Sequence, residues 1–87
     1  MMFVVVSYDV NEKRVVNVQK FLSKYLRHVQ LSVFEGEIGG RRFRDMVEGL
    51  KTVIDPTEDS VRIYIFEEKD NVGVIYIGPR EETDEVI

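Results

Sequence analysis

The sequence predicts a small α+β domain with two helices on one face of an antiparallel sheet. Two segments, 12–27 and 41–54, repeat apolar residues at three- and four-residue spacings, as amphipathic helices do. Four others, 2–9, 28–38, 59–67 and 72–77, are rich in Val, Ile, Phe and Tyr and too short for buried helices. These elements follow one another as β-α-β(-β)-α-β-β.

The first strand reads FVVVSYD from Phe3 to Asp9, and its consecutive valines are too β-branched to favour a helix. Phe3, Val5, Ser7 and Asp9 point one way and Val4, Val6 and Tyr8 the other. Both faces are largely apolar, so the second face is expected to be covered as well, by another copy of the chain. In segment 12–27, Val15, Val18, Leu22 and Tyr25 form one helical stripe widened by Phe21 and Leu26, with Asn11 or Asp9 as its cap. The stretch HVQLSVFEGEI, His28 to Ile38, is β-rich, with Val29, Leu31 and Val33 on one parity. It is either one strand with a bulge or two strands turning at Ser32, and Gly39-Gly40 ends it. From Arg41 to Ile54, the residues Phe43, Met46, Val47, Leu50, Val53 and Ile54 share one helical face, and Asp55-Pro56 stops the helix. Segment 59–67 alternates strictly, Val61, Ile63 and Ile65 against Arg62, Tyr64 and Phe66. Val72 to Ile77 is a further strand, and the tail EETDEVI closes the chain with an apolar pair able to add to a sheet edge. The order is that of a ferredoxin-like β-α-β-β-α-β sandwich with an additional C-terminal strand.

A chain of 87 residues forms one domain spanning 1–87, and at this size it buries only roughly 60–65% of its unfolded surface, which favours a partner subunit. No apolar run approaches the roughly 20 residues that cross a bilayer. The start, MMFVVV, has neither a basic leader nor a small-residue cleavage site, so the expected compartment is the cytoplasm. The chain has no cysteine, which excludes disulfides and thiolate metal sites. A net charge of −4 argues against generic polyanion binding. The charge is uneven, however. Glu68, Asp70, Glu81, Glu82, Asp84 and Glu85 crowd the C-terminal end, whereas Lys13, Arg14, Lys20, Lys24, Arg27, Arg41, Arg42 and Arg44 lie in the first half, so local basic patches remain.

No glycine-rich phosphate loop or paired histidine ligands are present, and the lone His28 reads as the polar flank of a strand. Asp9, at the end of an apolar strand beside Tyr8, admits two readings. It caps the following helix, with Glu12 completing a capping box, or it is a hard-cation ligand. One carboxylate is a poor metal site, and two brought together across a two-fold axis are a better one. Arg41, Arg42 and Arg44 oppose the dipole of the second helix, either as solvated surface or as a phosphate-binding patch at its N-terminus. Phe34 packs inward or serves as a base-stacking platform.

These residues bear a resemblance. YDV at Tyr8 to Val10, Arg14, QLSVFEGEI from Gln30 to Ile38 and DSVRIYIF from Asp59 to Phe66 are similar to the small CRISPR-associated adaptation endonuclease family, the second of the core CRISPR-associated proteins. The resemblance implies a ferredoxin-like homodimer in which Asp9 of each chain faces its twin and holds Mg²⁺ or Mn²⁺. It implies a metal-dependent endonuclease on single-stranded RNA or double-stranded DNA, with Tyr8, Arg14, Ser32 and Phe34 shaping the catalytic site. Arg14, Arg41, Arg42 and Arg44 are the expected nucleic-acid contacts, integrase subunits the expected partners, and strand 72–77 with its tail the expected cross-dimer pairing element. The chain departs from the family pattern at Asn17 and His28, where basic residues are usual, and so carries less positive charge near Asp9. One acid per chain also suits a non-catalytic scaffold that positions integrase subunits and DNA.

Overall fold

A computed structural model of the chain describes residues 1–67 and 72–79. Seven elements follow in order: β1 (Met2–Asp9), α1 (Glu12–Leu22), β2 (Arg27–Gln30), β3 (Val33–Ile38), α2 (Gly40–Val53), β4 (Ser60–Phe66) and β5 (Val72–Ile77). All strand pairs are antiparallel and the sheet order is β2-β3-β1-β4-β5. The fold is therefore ferredoxin-like, with β5 added beside β4. The acidic tail from Glu81 lies outside the described residues.

β1 is the central strand, and its alternation divides the sheet. Val4, Val6 and Tyr8 are buried under the helices together with Phe34 of β3, Val61 and Ile63 of β4 and Ile77 of β5. The helices complete this core with Val18 and Leu22 of α1, and with Met46 and Leu50 of α2 followed by Ile54. Phe43, Val47 and Val53 pack against it, so the whole apolar stripe of the second helix is used.

α1 is shorter than its periodicity suggests, ending at Leu22 rather than at position 27. The Lys24 and Tyr25 N–H groups bond back to Phe21 and Leu22 carbonyls, a tight turn that drops Leu26 into the core and leaves Arg27 to begin β2. Arg42 of α2 completes that turn, donating to the Lys24 carbonyl at 2.6 Å with its guanidinium 4.7 Å from the Tyr25 ring centroid. A cation here satisfies carbonyls that the helix end leaves unpaired.

The 28–38 stretch is two strands, turning at Leu31–Ser32, with a register shift between His28 and Gln30. That shift breaks the shared parity expected of Val29, Leu31 and Val33, and Leu31 is 85% exposed at the turn. After β5 the chain turns at Gly78, whose φ of +94° suits glycine, and a Cβ there would lie 1.9 Å from the Asp59 carbonyl oxygen. No helix among the described residues is long and apolar enough to cross a membrane.

Candidate active site

Asp9 ends β1 on an exposed position, opposite Ser60 of β4. It does not cap α1. That role belongs to Asn11, whose side chain accepts from the Lys13 N–H at 3.0 Å. An Asx residue two positions past the strand thus satisfies the helix N-terminus, and among the described residues Asp9 enters no ion pair. The cap reading drawn from Asp9 and Glu12 is therefore corrected to Asn11.

The backbone that carries Asp9 is fixed on both sides. Before it, the Tyr8 N–H donates to the Ser32 carbonyl at 3.1 Å and the Tyr8 hydroxyl to the Leu31 carbonyl at 3.3 Å. After it, the Asn11 N–H donates to Asp59 Oδ1 at 2.9 Å. Asp59 has no solvent exposure, yet no buried polar side-chain atom among the described residues lacks a hydrogen-bond partner. Its carboxylate accepts from Arg14 Nε at 2.5 Å, from Arg14 Nη2 at 3.1 Å and from the Asp55 N–H at 2.9 Å, while Arg14 also pairs with Glu58. The Arg14 hydrogen bond, helped by the Asp55 and Asn11 amides and opposed by burial, holds the Asp59 carboxyl down to about 2. The same pairing raises the Arg14 guanidinium above its already high value. Asp59 is the residue that sequence reasoning missed: its partners are Arg14, 45 positions earlier, and the Asn11 amide, 48 positions earlier, and no local pattern joins them.

The expected site residues are only partly brought together. Tyr8 and Asp9 are adjacent in sequence but project from opposite faces of the sheet. Phe34 is fully buried on the Tyr8 side, 6.3 Å from the Tyr8 ring centroid and stacked on His28 at 4.3 Å, so it supports the strand end from the core and presents no face to a base. His28 Nε2 bonds the same Leu31 carbonyl that Tyr8 uses, at 3.1 Å. Ser32 shapes the hairpin turn and lends its carbonyl to β1. Arg14 is matched by Asp59 and Glu58 rather than turned to solvent.

Arg41, Arg42 and Arg44 are remote from Asp9. Ile38, two residues before α2, pairs with Met2, so the start of α2 lies at the other end of β1, about 23 Å away at ~3.3 Å per residue. Arg42 is held at the end of α1, whereas Arg41 and Arg44 are exposed beside a shallow depression of about 470 Å³ lined by Phe43, Val47 and Ile75.

Among the described residues no group of three or more His, Cys, Asp or Glu side chains is placed to hold a metal ion. Asp9 offers one exposed hard oxygen donor. Magnesium is held by one or two carboxylates and several waters, so Asp9 of one chain meets the smaller such set and two copies together the larger.

Comparison with known proteins decides the family. The sequence profile described as CRISPR associated protein Cas2 matches residues 2–73. The chain belongs to the Cas2 family. A protein of Pyrococcus furiosus named CRISPR-associated endoribonuclease Cas2 is 52% identical over 63 residues, covering 72% of this chain and 74% of that one. A Thermotoga maritima protein of the same name is 37% identical over 83 residues, 95% of each chain. The match to the Methanocaldococcus jannaschii Cas2 protein, 48% identical, spans 75% of this chain but 57% of the longer relative. Among solved structures, a crystal structure of Cas2 superposes with a TM-score of 0.72 at 38% identity, covering 94% of this chain and 91% of the other. Streptococcus pyogenes Cas2 gives 0.70 at 37% identity over 79% of this chain and 89% of the other. The likeness to the Cas2 crystal structure thus covers nearly the whole chain.

Proposed function

We propose that this chain is a homodimeric, metal-dependent endonuclease of the CRISPR spacer-acquisition machinery, working in the cytoplasm on phosphodiester bonds of single-stranded RNA, with double-stranded DNA as a further substrate. One observation carries the reading: an exposed carboxylate, Asp9, released from capping by Asn11, stands at the end of a central strand whose backbone is clamped on both sides. The endoribonuclease names of the P. furiosus and T. maritima proteins support RNA as the first substrate.

The face on which Asp9 lies supports the dimer. Away from the helices, the sheet carries Phe3 and Val5 with Phe66, Val72, Val74 and Tyr76, the last four 41%, 58%, 41% and 40% exposed. An exposed apolar patch of this kind, on β1, β4 and β5, favours a self-complementary two-fold contact, which would bring the two Asp9 carboxylates towards one axis. Asp9 of each copy would hold Mg²⁺ or Mn²⁺, and the bound ion supplies Lewis-acid neutralisation of charge developing on the phosphodiester. This chain's own contribution is orientation: Tyr8, Ser32 and the Asp59–Asn11 bond fix the strand end, and Arg14 serves through Asp59 as a positioning residue. Arg41 and Arg44 we assign to the remote course of a longer nucleic acid.

The lack of a three-ligand cluster among the described residues favours a second reading, a non-catalytic dimer that bridges integrase subunits and DNA. Incubating the protein with single-stranded RNA and with double-stranded DNA, with and without Mg²⁺ or Mn²⁺, separates the two. The nuclease reading expects metal-dependent cleavage that an Asp9→Ala dimer loses. Absence of cleavage by either protein, with integrase binding retained by both, selects the scaffold.

A further inference from the structure

The first half of α2 and the helix-facing side of β5 leave the shallow depression of about 470 Å³ between them. Its floor is apolar: Phe43 and Val47 come from α2, and Ile75, opposite Ile63 of the core, comes from β5. All three are packed against the core and only partly buried, so each still meets solvent. Arg41 and Arg44, one turn apart on α2, stand at the rim, exposed and without an ion pair among the described residues. Glu48, also at the rim, is engaged by Lys51 at 3.2 Å. α2 starts with no side-chain cap and no acid in its first turn, so its own residues add cations to the positive end of its dipole. The depression therefore suits apolar side chains that arrive with negative charge beside them.

Residues 80–87, REETDEVI, have that composition: four acids against one arginine, followed by Val86 and Ile87. Where this segment starts is fixed. At Gly78 the backbone passes close against the Asp59 carbonyl, and Ser60 Oγ donates to the Pro79 carbonyl at 2.7 Å, which pins Pro79 beside the first residue of β4. Ile63 is three residues on from Ser60, so Ile75 opposite it lies about 10 Å back along the sheet. The seven residues from Pro79 to Val86 span up to about 23 Å. That is enough to return along β5, the last strand of the sheet, and enter the depression. The short tether makes docking intramolecular, at an effective concentration in the millimolar range, so a modest contact suffices.

We propose that residues 80–87 fold back over β5 of their own chain as an acidic strap, Val86 and Ile87 in the depression and the acids on Arg41 and Arg44, and that the strap withholds those two arginines from nucleic acid. The withholding rests on the assignment of Arg41 and Arg44 to the course of a longer nucleic acid. The docking does not.

Methyl resonances of Val47 and Ile75 test the docking. They are expected to shift when the chain is shortened after Arg80, and to shift likewise in Val86→Ser/Ile87→Ser, which keeps the charge of the strap and removes its apolar end. Because the chain has no cysteine, a nitroxide on Thr83→Cys reports from one position. It is expected to broaden these methyls in its own chain and to spare them in an isotope-labelled partner copy that carries no nitroxide. Methyls unmoved in both variants, or broadened only across copies, overturn the proposal.

Binding of a fluorescent single-stranded RNA at several KCl concentrations, on an Asp9→Ala background so that no cleavage intervenes, tests the withholding. Both variants are expected to bind about tenfold more tightly than the parent at low salt. Their dependence of log K on log salt is expected to steepen by about 1.4, two phosphate contacts on a single strand. The gain is expected to vanish once Arg41→Gln/Arg44→Gln is added. A gain by the shortened chain alone, with Val86→Ser/Ile87→Ser binding as the parent does, would mean repulsion by undocked acids and overturns the strap. Absence of RNA binding by every protein, with the methyl shifts as expected, sinks the nucleic-acid assignment of Arg41 and Arg44 and leaves the docking standing.

Discussion

Arg14 and Asp59 form a part-buried ion pair at the junction of α1 and β4: Asp59 is fully buried, and two guanidinium nitrogens of the partly exposed Arg14 reach its two carboxylate oxygens. The pair ties the first helix to the start of the fourth strand directly beneath the loop that follows Asp9. Removing Arg14 leaves the fully buried Asp59 carboxylate without its countercharge, which costs about 3–5 kcal/mol. Arg14→Ala is therefore expected to lose much of the stability of so small a domain, as read by urea denaturation, and Asp59→Ala less, because the partly exposed Arg14 keeps Glu58.

The same pair sets an acid limit. The folded Asp59 carboxyl is held down to about 2, below its value in the unfolded chain, so its contribution is complete above the ordinary carboxylate range and is lost as pH falls through that range towards 2. Asp55, lowered by its bonds from Thr57, acts in the same direction. Thermal midpoints should drop steeply between about pH 4 and pH 2. An Asp59→Asn protein, less stable near neutrality, should show a flatter profile across that interval, and an equally steep one would remove Asp59 from the explanation.

Asn11 and Asp9 separate structure from function two residues apart. Asn11→Ala removes the α1 cap and should cost about 1 kcal/mol. Asp9→Ala touches an exposed side chain and should leave stability within about 0.5 kcal/mol, measured by the same denaturation. A large loss in the Asp9 variant would return that residue to a structural role.

The proposed dimer face can be broken without breaking the monomer. Val74 is 41% exposed and points away from the helical core, so Val74→Asp should fold but sediment as a monomer. A dimeric Val74→Asp protein would place the interface elsewhere.

Much of the fold was legible because its signals are local. The alternation of Val61, Ile63 and Ile65 against Arg62, Tyr64 and Phe66 is realised as core and outer faces of β4, and the stripe from Phe43 to Ile54 packs throughout. Periodicity overran the end of α1 because Tyr25 and Leu26 continue the helical spacing while reaching the core through a turn. The site was less legible because it depends on pairing between distant strands. Alternation already sent Tyr8 and Asp9 to opposite faces, yet adjacency grouped them with Phe34, which is core. The placement of Ser60 opposite Asp9 follows from the β1–β4 register, and the neutralisation of Arg14 from an acid 45 residues away. Neither has a local sequence signal.

The central claim, that two Asp9 carboxylates build one site, is tested most directly by the Mg²⁺-dependent RNA cleavage rate of dimers re-formed from mixtures of parent and Asp9→Ala chains. If both carboxylates are needed, the rate follows the square of the parent fraction and vanishes in the pure variant. A rate that falls linearly with that fraction, or a variant as active as the parent, would contradict it.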